Sequence, residues 1–423
     1  MDAEIIKSKT MSGDQARFNG KTALVVAYGS VLSTPPMRQA AMSLQKTGFN
    51  VVIVQFTSPS GFTEDQIEDV QVFTCDIVSF GWRFKSIFQF RGFRCLLRKV
   101  ILQCKPDLIV TATPQDAAAV PASSKGVPYR IVNAVLDIPS PTDLGYLDSI
   151  IWRLAKERMR RADLVWASDD FKAALVKKMG SLSDMPLVCH NASTRDYLPD
   201  TANSRHPWLR NELRRTGASI GIEGGSILLR AGAIGECGGI EETLEGMNDL
   251  PDDYVFLMMG RPSQGYERHI RERIRMLGLE QRVFLWNRPD DDTWKLALLG
   301  SEIGHLVHGP FPKGRMERQY ELNSSLSNNR LFQYMAAGLP IIAYDDLRMS
   351  NLYGEVCCFE VARLSELKND IISAWRTLGG NRTKRLNYGN SARFAQREKY
   401  CWEVQFEPIL KKIEELIFKD KTN

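Results

Sequence analysis

The chain has 423 residues, 43% of them hydrophobic and 25% charged, and a formal net charge of +5. Such a length exceeds what one ordinary hydrophobic core encloses, so two domains are expected. The mild positive balance gives no support to a nucleic-acid partner, and none is expected; it suits an anionic substrate or a membrane surface.

Residues 1–20 are polar and lack the apolar stretch of a signal peptide, which predicts a flexible N-terminal tail. Strands and helices then alternate. Apolar runs predict strands at 22–27, 51–56, 107–111, 129–134, 163–167 and 187–190, and a helix over 37–47 that stops at Gly48. Continuous Val, Ile and Leu runs of this kind fit a parallel sheet covered on both faces. Residues 196–225, with RDYLPDTANSRHPW and IGIEGG, read as a connection between domains. The pattern then restarts, with strands predicted at 226–231, 254–259, 282–286, 303–307 and 340–344 and a helix over 266–278. The expected fold class is α/β, with two Rossmann-like doubly wound domains facing across a cleft and the ligand at the carboxyl ends of the strands.

The eight cysteines form no Cys-x-x-Cys pair, so neither a disulfide framework nor a zinc site is expected. No uncharged run approaches the roughly 18–20 residues needed to cross a bilayer. These features together predict a cytoplasmic protein.

Residues 327–344, SNNRLFQYMAAGLPIIAY, are the most informative stretch. Ser327 or Asn328 can cap a helix, Gly338 sits where that helix must stop, and Pro340 follows. Asn329 and Arg330 then stand at the amino end, where unpaired N–H groups, the helix dipole and a guanidinium make a ready diphosphate site. An ordinary capped helix leading into a strand fits the spacing equally well.

The stretch resembles the nucleotide-sugar signature of the retaining GT-B glycosyltransferases of family 4, of the bacterial polysaccharide-biosynthesis type. Its common form is Asn-Lys-hydrophobic-hydrophobic-Glu-Tyr-Met-Ala-x-Gly-hydrophobic-Pro-Val-Ile, and the match runs from Asn329 to Ala343. Weaker resemblance extends over residues 21–415, including ERMRRADLVWAS and LLRAGAIGECGGIEETLEGM. It implies an acceptor domain over 21–200, a nucleotide-sugar domain over 201–395, and a final helix, 396–423, returning to the first. The donor would be a nucleoside diphosphate sugar, with no other cofactor and no metal. Asn329 and Arg330 would hold its diphosphate or its sugar, with Arg330 stabilising the leaving group. Gly309, Pro310 and Phe311 would face the sugar, with Ser327 and Asn328 near them. Gln333 stands where relatives carry the glutamate that bonds the ribose, and it keeps an acceptor oxygen without the charge. The loop 235–239, beginning at Gly235, lacks the cation relatives place there, and Arg230 or Arg261 would replace it.

In the first half, Asp137 ends a predicted strand, with Leu136 in the place of a histidine common in relatives. It can take the proton of an attacking hydroxyl or simply cap its own loop. Gly29 ends the first strand in a turn that either approaches the donor phosphate or is a plain connection; no dinucleotide fingerprint is present. His190 reads as a buried, hydrogen-bonded histidine.

Residues 80–100, FGWRFKSIFQFRGFRCLLRKV, carry no acidic side chain. Trp82, Arg83, Phe84, Lys85, Phe88, Phe90, Arg91 and Arg94 are expected to meet an anionic membrane surface, the alternative being an amphipathic helix packed on its own domain. The function expected is sugar transfer to an acceptor hydroxyl, with a lipid-linked saccharide of polysaccharide biosynthesis as the acceptor, at the inner face of the membrane. The alternatives are an inactive scaffold of the same fold and a sugar-nucleotide epimerase.

Overall fold

The computed structural model describes residues 17–31, 34–56, 67–75, 85–121, 126–136, 138, 146–199, 205–221, 224–263, 265–287, 289–308 and 328–418, with backbone alone at 85–88, 114 and 146–149. The chain divides into two compact units, Met1–Asn191 with Gln405–Asn423, and Ala192–Val404.

The first unit is built from β1 (Thr22–Ala27), α1 (Pro35–Lys46), β2 (Asn50–Phe56), β3 (Gln71–Cys75), α2 (Lys85–Cys104), β4 (Leu108–Thr111), α3 (Pro114–Ala119), β5 (Arg130–Val135), α4 (Tyr146–Arg160), β6 (Leu164–Ala167), α5 (Asp170–Gly180) and β7 (Leu187–Val188). The strands form one parallel sheet in the order β3-β2-β1-β4-β5-β6-β7. Strand order reverses between β1 and β4. There the Asp116 carboxylate accepts from the backbone N–H groups of Tyr28, Ala112 and Thr113, tying both strand ends to the start of α3. Burial pushes its pKa up to about 7 against those donors. His190 is 8% exposed and donates from Nδ1 to the Ser168 carbonyl at 3.0 Å.

The second unit contains α6 (Trp208–Arg215), β8 (Ser226–Ala231), α7 (Ile240–Gly246), β9 (Tyr254–Gly260), α8 (Tyr266–Met276), β10 (Val283–Asn287), α9 (Asp291–Gly300), β11 (Ile303–Leu306), α10 (Asn329–Ala336), β12 (Ile341–Tyr344), α11 (Ser350–Glu355), β13 (Phe359–Ala362), α12 (Leu367–Gly380) and α13 (Arg382–Glu398). Its parallel sheet runs β10-β9-β8-β11-β12-β13. Apolar side chains on both faces of β8 and β9 feed two separate clusters, one around Tyr334 and Phe332, the other around Phe256 and Trp375. That is why these strands read as unbroken hydrophobic runs. Residues 196–225 belong to this unit: Leu209 and Leu213 of α6 are fully buried in its core. The last helix, α14 (Trp402–Phe418), starts in the second unit, where Trp402 N–H donates to Ser193. From Gln405 onward it joins the first unit. Phe406 packs on Trp166 at 5.1 Å, and Arg130 Nε donates to the Leu416 carbonyl at 3.2 Å.

The point of reversal in the second sheet is built differently from the first. β8 and β11 pair through Leu228 with Ile303 and Leu229 with Gly304. Beyond that register the hydroxyl of Tyr334, from α10, takes the place of a strand partner: it donates to the Leu229 carbonyl at 2.9 Å and accepts from Ala231 N–H at 2.8 Å. Gly304 makes room, since a β-carbon there would lie 2.5 Å from the tyrosine ring. Tyr334→Phe leaves a buried N–H and a buried carbonyl without this partner. It should cost about 1–3 kcal/mol, read as a lower urea midpoint for the second unit while the Trp166–Phe406 region unfolds as in the parent.

Candidate functional site

The helix α10 opens at the reversal point because its cap is held from outside. Asn328 has extended backbone, and its Oδ1 accepts from Arg330 N–H at 3.1 Å. Its Nδ2 donates to His308 Nε2 at 2.9 Å, so that ring nitrogen is an acceptor and the imidazole is neutral. Arg330 is 7% exposed. Its guanidinium lies against the backbone of Gly232, which has φ of 106° and no room for a side chain: a β-carbon there would sit 2.9 Å from Nη2.

A second guanidinium comes up from the sheet. Arg230, 3% exposed near the carboxyl end of β8, donates from Nη1 to the carbonyls of Gly238 at 2.8 Å and Val307 at 2.9 Å. The same nitrogen is 3.2 Å from His305 Nδ1. Nη1 has two hydrogens for these three acceptors, so one is shared; Thr243 Oγ1 gives its own proton to a carbonyl and therefore accepts from Nε2 at 3.2 Å, which leaves Nδ1 with the lone pair that faces the guanidinium. Thr243 in turn donates to the Gly239 carbonyl at 2.6 Å. A chain of directed hydrogen bonds therefore runs from the guanidinium to the amino end of α7. Burial, then Arg230 and Arg330, hold His305 well below its ordinary pKa. Burial, then the same two arginines in the opposite order, and Arg348, do so for His308.

These groups border a cavity of about 600 Å³ lined by Arg230, Gly235, Arg261, Ser263, His308 and Arg330 among others. Its floor is rigid. The loops after β8 and β9 continue the parallel pairing through Gly232 N–H to Met259, Ile234 N–H to Arg261 and Ser263 N–H to Ile234. Among the described lining residues the charged ones are Arg230, Arg261 and Arg330. A helix amino end, two buried guanidiniums and a fixed glycine-bearing floor together form an anion site for a phosphate-sized or diphosphate-sized group.

The structure thus brings together Arg230, Gly235, Arg261, Asn328, Asn329 and Arg330 in one unit, with Arg261 exposed and the two other arginines buried. Gln333 stands on the same helix, but its carboxamide is engaged: Oε1 accepts from Trp294 Nε1 at 3.3 Å and Nε2 donates to Tyr197 Oη at 3.2 Å. Gly29 lies in the first unit, exposed at the end of β1, with open space where a β-carbon would stand. Asp137, Gly309, Pro310, Phe311, Ser327, Trp82, Arg83 and Phe84 lie outside the described residues, as do the side chains of Lys85 and Phe88. On α2, Arg91 and Arg94 are exposed, whereas Phe90 is half-buried, its ring 6.2 Å from that of Tyr28. No sequence motif marks His305, His308 or Thr243, and Tyr334 alone of the supporting residues falls within the signature.

No protein-family model matches the chain, and no curated protein matches it by sequence. Solved structures do match. HepE of Anabaena in complex with UDP and glucose has a TM-score of 0.66 at 15% identity, over 93% of this chain and 100% of its own. Sucrose-phosphate synthase of Thermosynechococcus elongatus gives 0.68 at 12% identity, over 94% and 99%. WaaG, a glycosyltransferase involved in lipopolysaccharide biosynthesis, gives 0.60 at 14% identity, over 93% and 99%. At these identities the likeness establishes the fold: two Rossmann-like α/β units of the GT-B type.

The two histidines give the second unit a pH dependence of definite sign. Below their ordinary value of 6.5 the unfolded chain binds protons that the folded imidazoles refuse. Stability present above 6.5 is therefore lost as the pH falls, by up to about 1.4 kcal/mol per pH unit for each histidine. Urea unfolding of the second unit between about pH 7 and about pH 5 should show that slope, the opposite contribution of the raised Asp116 carboxyl falling on the first unit, and His305→Asn, which keeps an acceptor for Arg230, should remove its share.

Proposed function

We propose that this protein is a glycosyltransferase that moves a sugar from a nucleoside diphosphate sugar to an acceptor hydroxyl. The observation that carries the reading is the amino end of α10 with Arg330 and Arg230 at the reversal point of the second sheet. In an open parallel sheet that point is where a nucleotide is held, outside the carboxyl ends of the strands. Solved neighbours of the same fold include one described with UDP and glucose, which agrees with this ligand class.

In the proposed reaction the bond from the anomeric carbon to the diphosphate oxygen breaks, and a bond to the acceptor oxygen forms. The acceptor proton leaves with the diphosphate. Negative charge grows on the leaving oxygens, and the fixed donors at Arg330 and the helix end meet it without rearranging, which favours the transition state. Retention of anomeric configuration by same-face attack, and assistance to the acceptor by Asp137, complete the proposed chemistry. No metal or further cofactor is required by it. The acceptor we favour is a lipid-linked saccharide of polysaccharide biosynthesis, reached at the cytoplasmic membrane surface. Gln333, already bonded to Trp294 and Tyr197, is assigned no ribose contact.

A thermal-shift screen over UDP-, GDP-, dTDP- and ADP-sugars should find a stabilising donor. Calorimetry with the matching nucleoside diphosphate should then show Arg330→Ala binding roughly ten- to hundredfold more weakly, the worth of a charge-assisted phosphate contact. An absence of nucleotide binding would identify a scaffold. Conversion of the nucleotide sugar without an acceptor would identify an epimerase.

A further inference from the structure

Gln333 stands one turn past Arg330 on α10, so the two side chains are neighbours on the helix surface. A nucleoside diphosphate held by its phosphates at Arg330 carries its ribose a single methylene beyond the α-phosphate. The ribose therefore cannot leave the neighbourhood of the first turns of α10.

The side chain it meets there is already engaged. Gln333 Oε1 accepts from Trp294 Nε1 at 3.3 Å, and Nε2 donates to Tyr197 Oη at 3.2 Å. The orientation is forced, because an indole only donates: the oxygen must face Trp294, which turns the nitrogen to Tyr197. Both aromatic partners are fixed in turn. Trp294 belongs to the first turn of α9, and it packs with Tyr197 on the core cluster around Phe332. The Lys295 ammonium lies 5.8 Å from the centre of the Tyr197 ring. Three separate segments thus close one another's hydrogen bonds beside the donor cavity.

Reading a ribose means accepting from its neighbouring hydroxyls. A carboxylate does so with two oxygens and about four lone-pair sites. Gln333 has no such capacity left. Turning its carboxamide toward a ligand would leave Trp294 Nε1, a half-buried donor, without its acceptor. Keeping it in place offers one lone pair in a direction the two aromatic residues have set. A site built to bond a hydroxyl rejects the analogue that lacks it, whereas a wall that makes no such bond hardly separates the two.

We propose that the Gln333–Trp294–Tyr197 triad makes the donor site indifferent to the ribose 2′-hydroxyl, so that 2′-deoxyribonucleoside diphosphates bind as well as their ribose counterparts. This rests on the nucleotide-sugar reading above and widens its donor class to deoxynucleotide sugars.

The test is calorimetry of the full chain with four pairs of nucleoside diphosphates, on uracil, guanine, adenine and thymine, each pair differing only at the 2′ position. Within any pair that binds, the two dissociation constants should agree to better than about tenfold, the most that one neutral hydrogen bond supplies. A larger preference for the ribonucleotide overturns the proposal. Gln333→Glu supplies the missing acceptor. Burial, then the field of Asp291, hold the Tyr197 hydroxyl above its ordinary pKa, so it keeps its proton and can donate to the new carboxylate beside Trp294 Nε1. Lone pairs then remain for the ribose, and the variant should prefer each ribonucleotide by more than about tenfold, even as the added charge weakens both partners of a pair. A parent-like ratio in a Gln333→Glu protein with the parent's urea midpoint also overturns the proposal. Should that variant unfold, the parent ratio decides alone. Binding of none of the eight nucleotides would remove the transferase reading and this inference with it. Firm binding with a strong ribose preference would remove this inference and leave the transferase reading standing.

Discussion

One phenolic hydroxyl organises the second unit. Where β8 and β11 stop pairing, the sheet must either close, which would leave no opening at the reversal point, or expose buried backbone groups. Tyr334 resolves the conflict by bonding a carbonyl and an N–H of β8 from within α10. The helix is thereby pinned to the gap it fills, and the position of its first residues follows. Asn328 and Arg330 arrive where they do because, a turn further on, the same helix is anchored in the sheet.

That placement sets the electrostatics. Two guanidiniums are taken out of water beside Gly232 and Gly238, positions where any side chain would collide with them. Burying cations carries a large desolvation penalty, offset only by well-formed hydrogen bonds and by an anion. The neutral histidines are part of the solution: each offers a lone pair, one to Arg230 and one to Asn328, and neither adds charge. The donors are thus oriented before any ligand arrives, which is the condition under which fixed dipoles and charges favour a charged transition state.

Much of this is legible in the sequence, and the limits have physical causes. The central strands can be read because both of their faces are covered, so nearly every residue is apolar. The edge strands β3 and β13 escape such a reading: QVFTC and FEVA are half-exposed, and their mixed pattern carries no continuous run. The capped helix with Arg330 at its start shows itself in residues next to one another. The partners of Gln333, Tyr197 and Trp294, are 136 and 39 positions away, and no local pattern reports them. For the same reason the link from Arg230 through His305 to Thr243 is invisible in the sequence, although the arginine itself stands out as an odd charge in an apolar strand. In residues 80–100 the abundance of aromatics suggests an outward role. For Phe90 and Phe93 the structure shows the inward one, since a helix over a sheet needs large side chains to fill the space beneath it.

The chain passes from the first unit to the second after Asn191 and comes back at Gln405. The first unit is consequently discontinuous in the order of synthesis. Its Trp166 waits for Phe406, and its Arg130 for Leu416, until the whole of the second unit has left the ribosome. A nascent chain therefore carries a nearly complete sheet with one flank still uncovered. The contacts that α14 brings to the first unit are thus made only after the second unit has been translated.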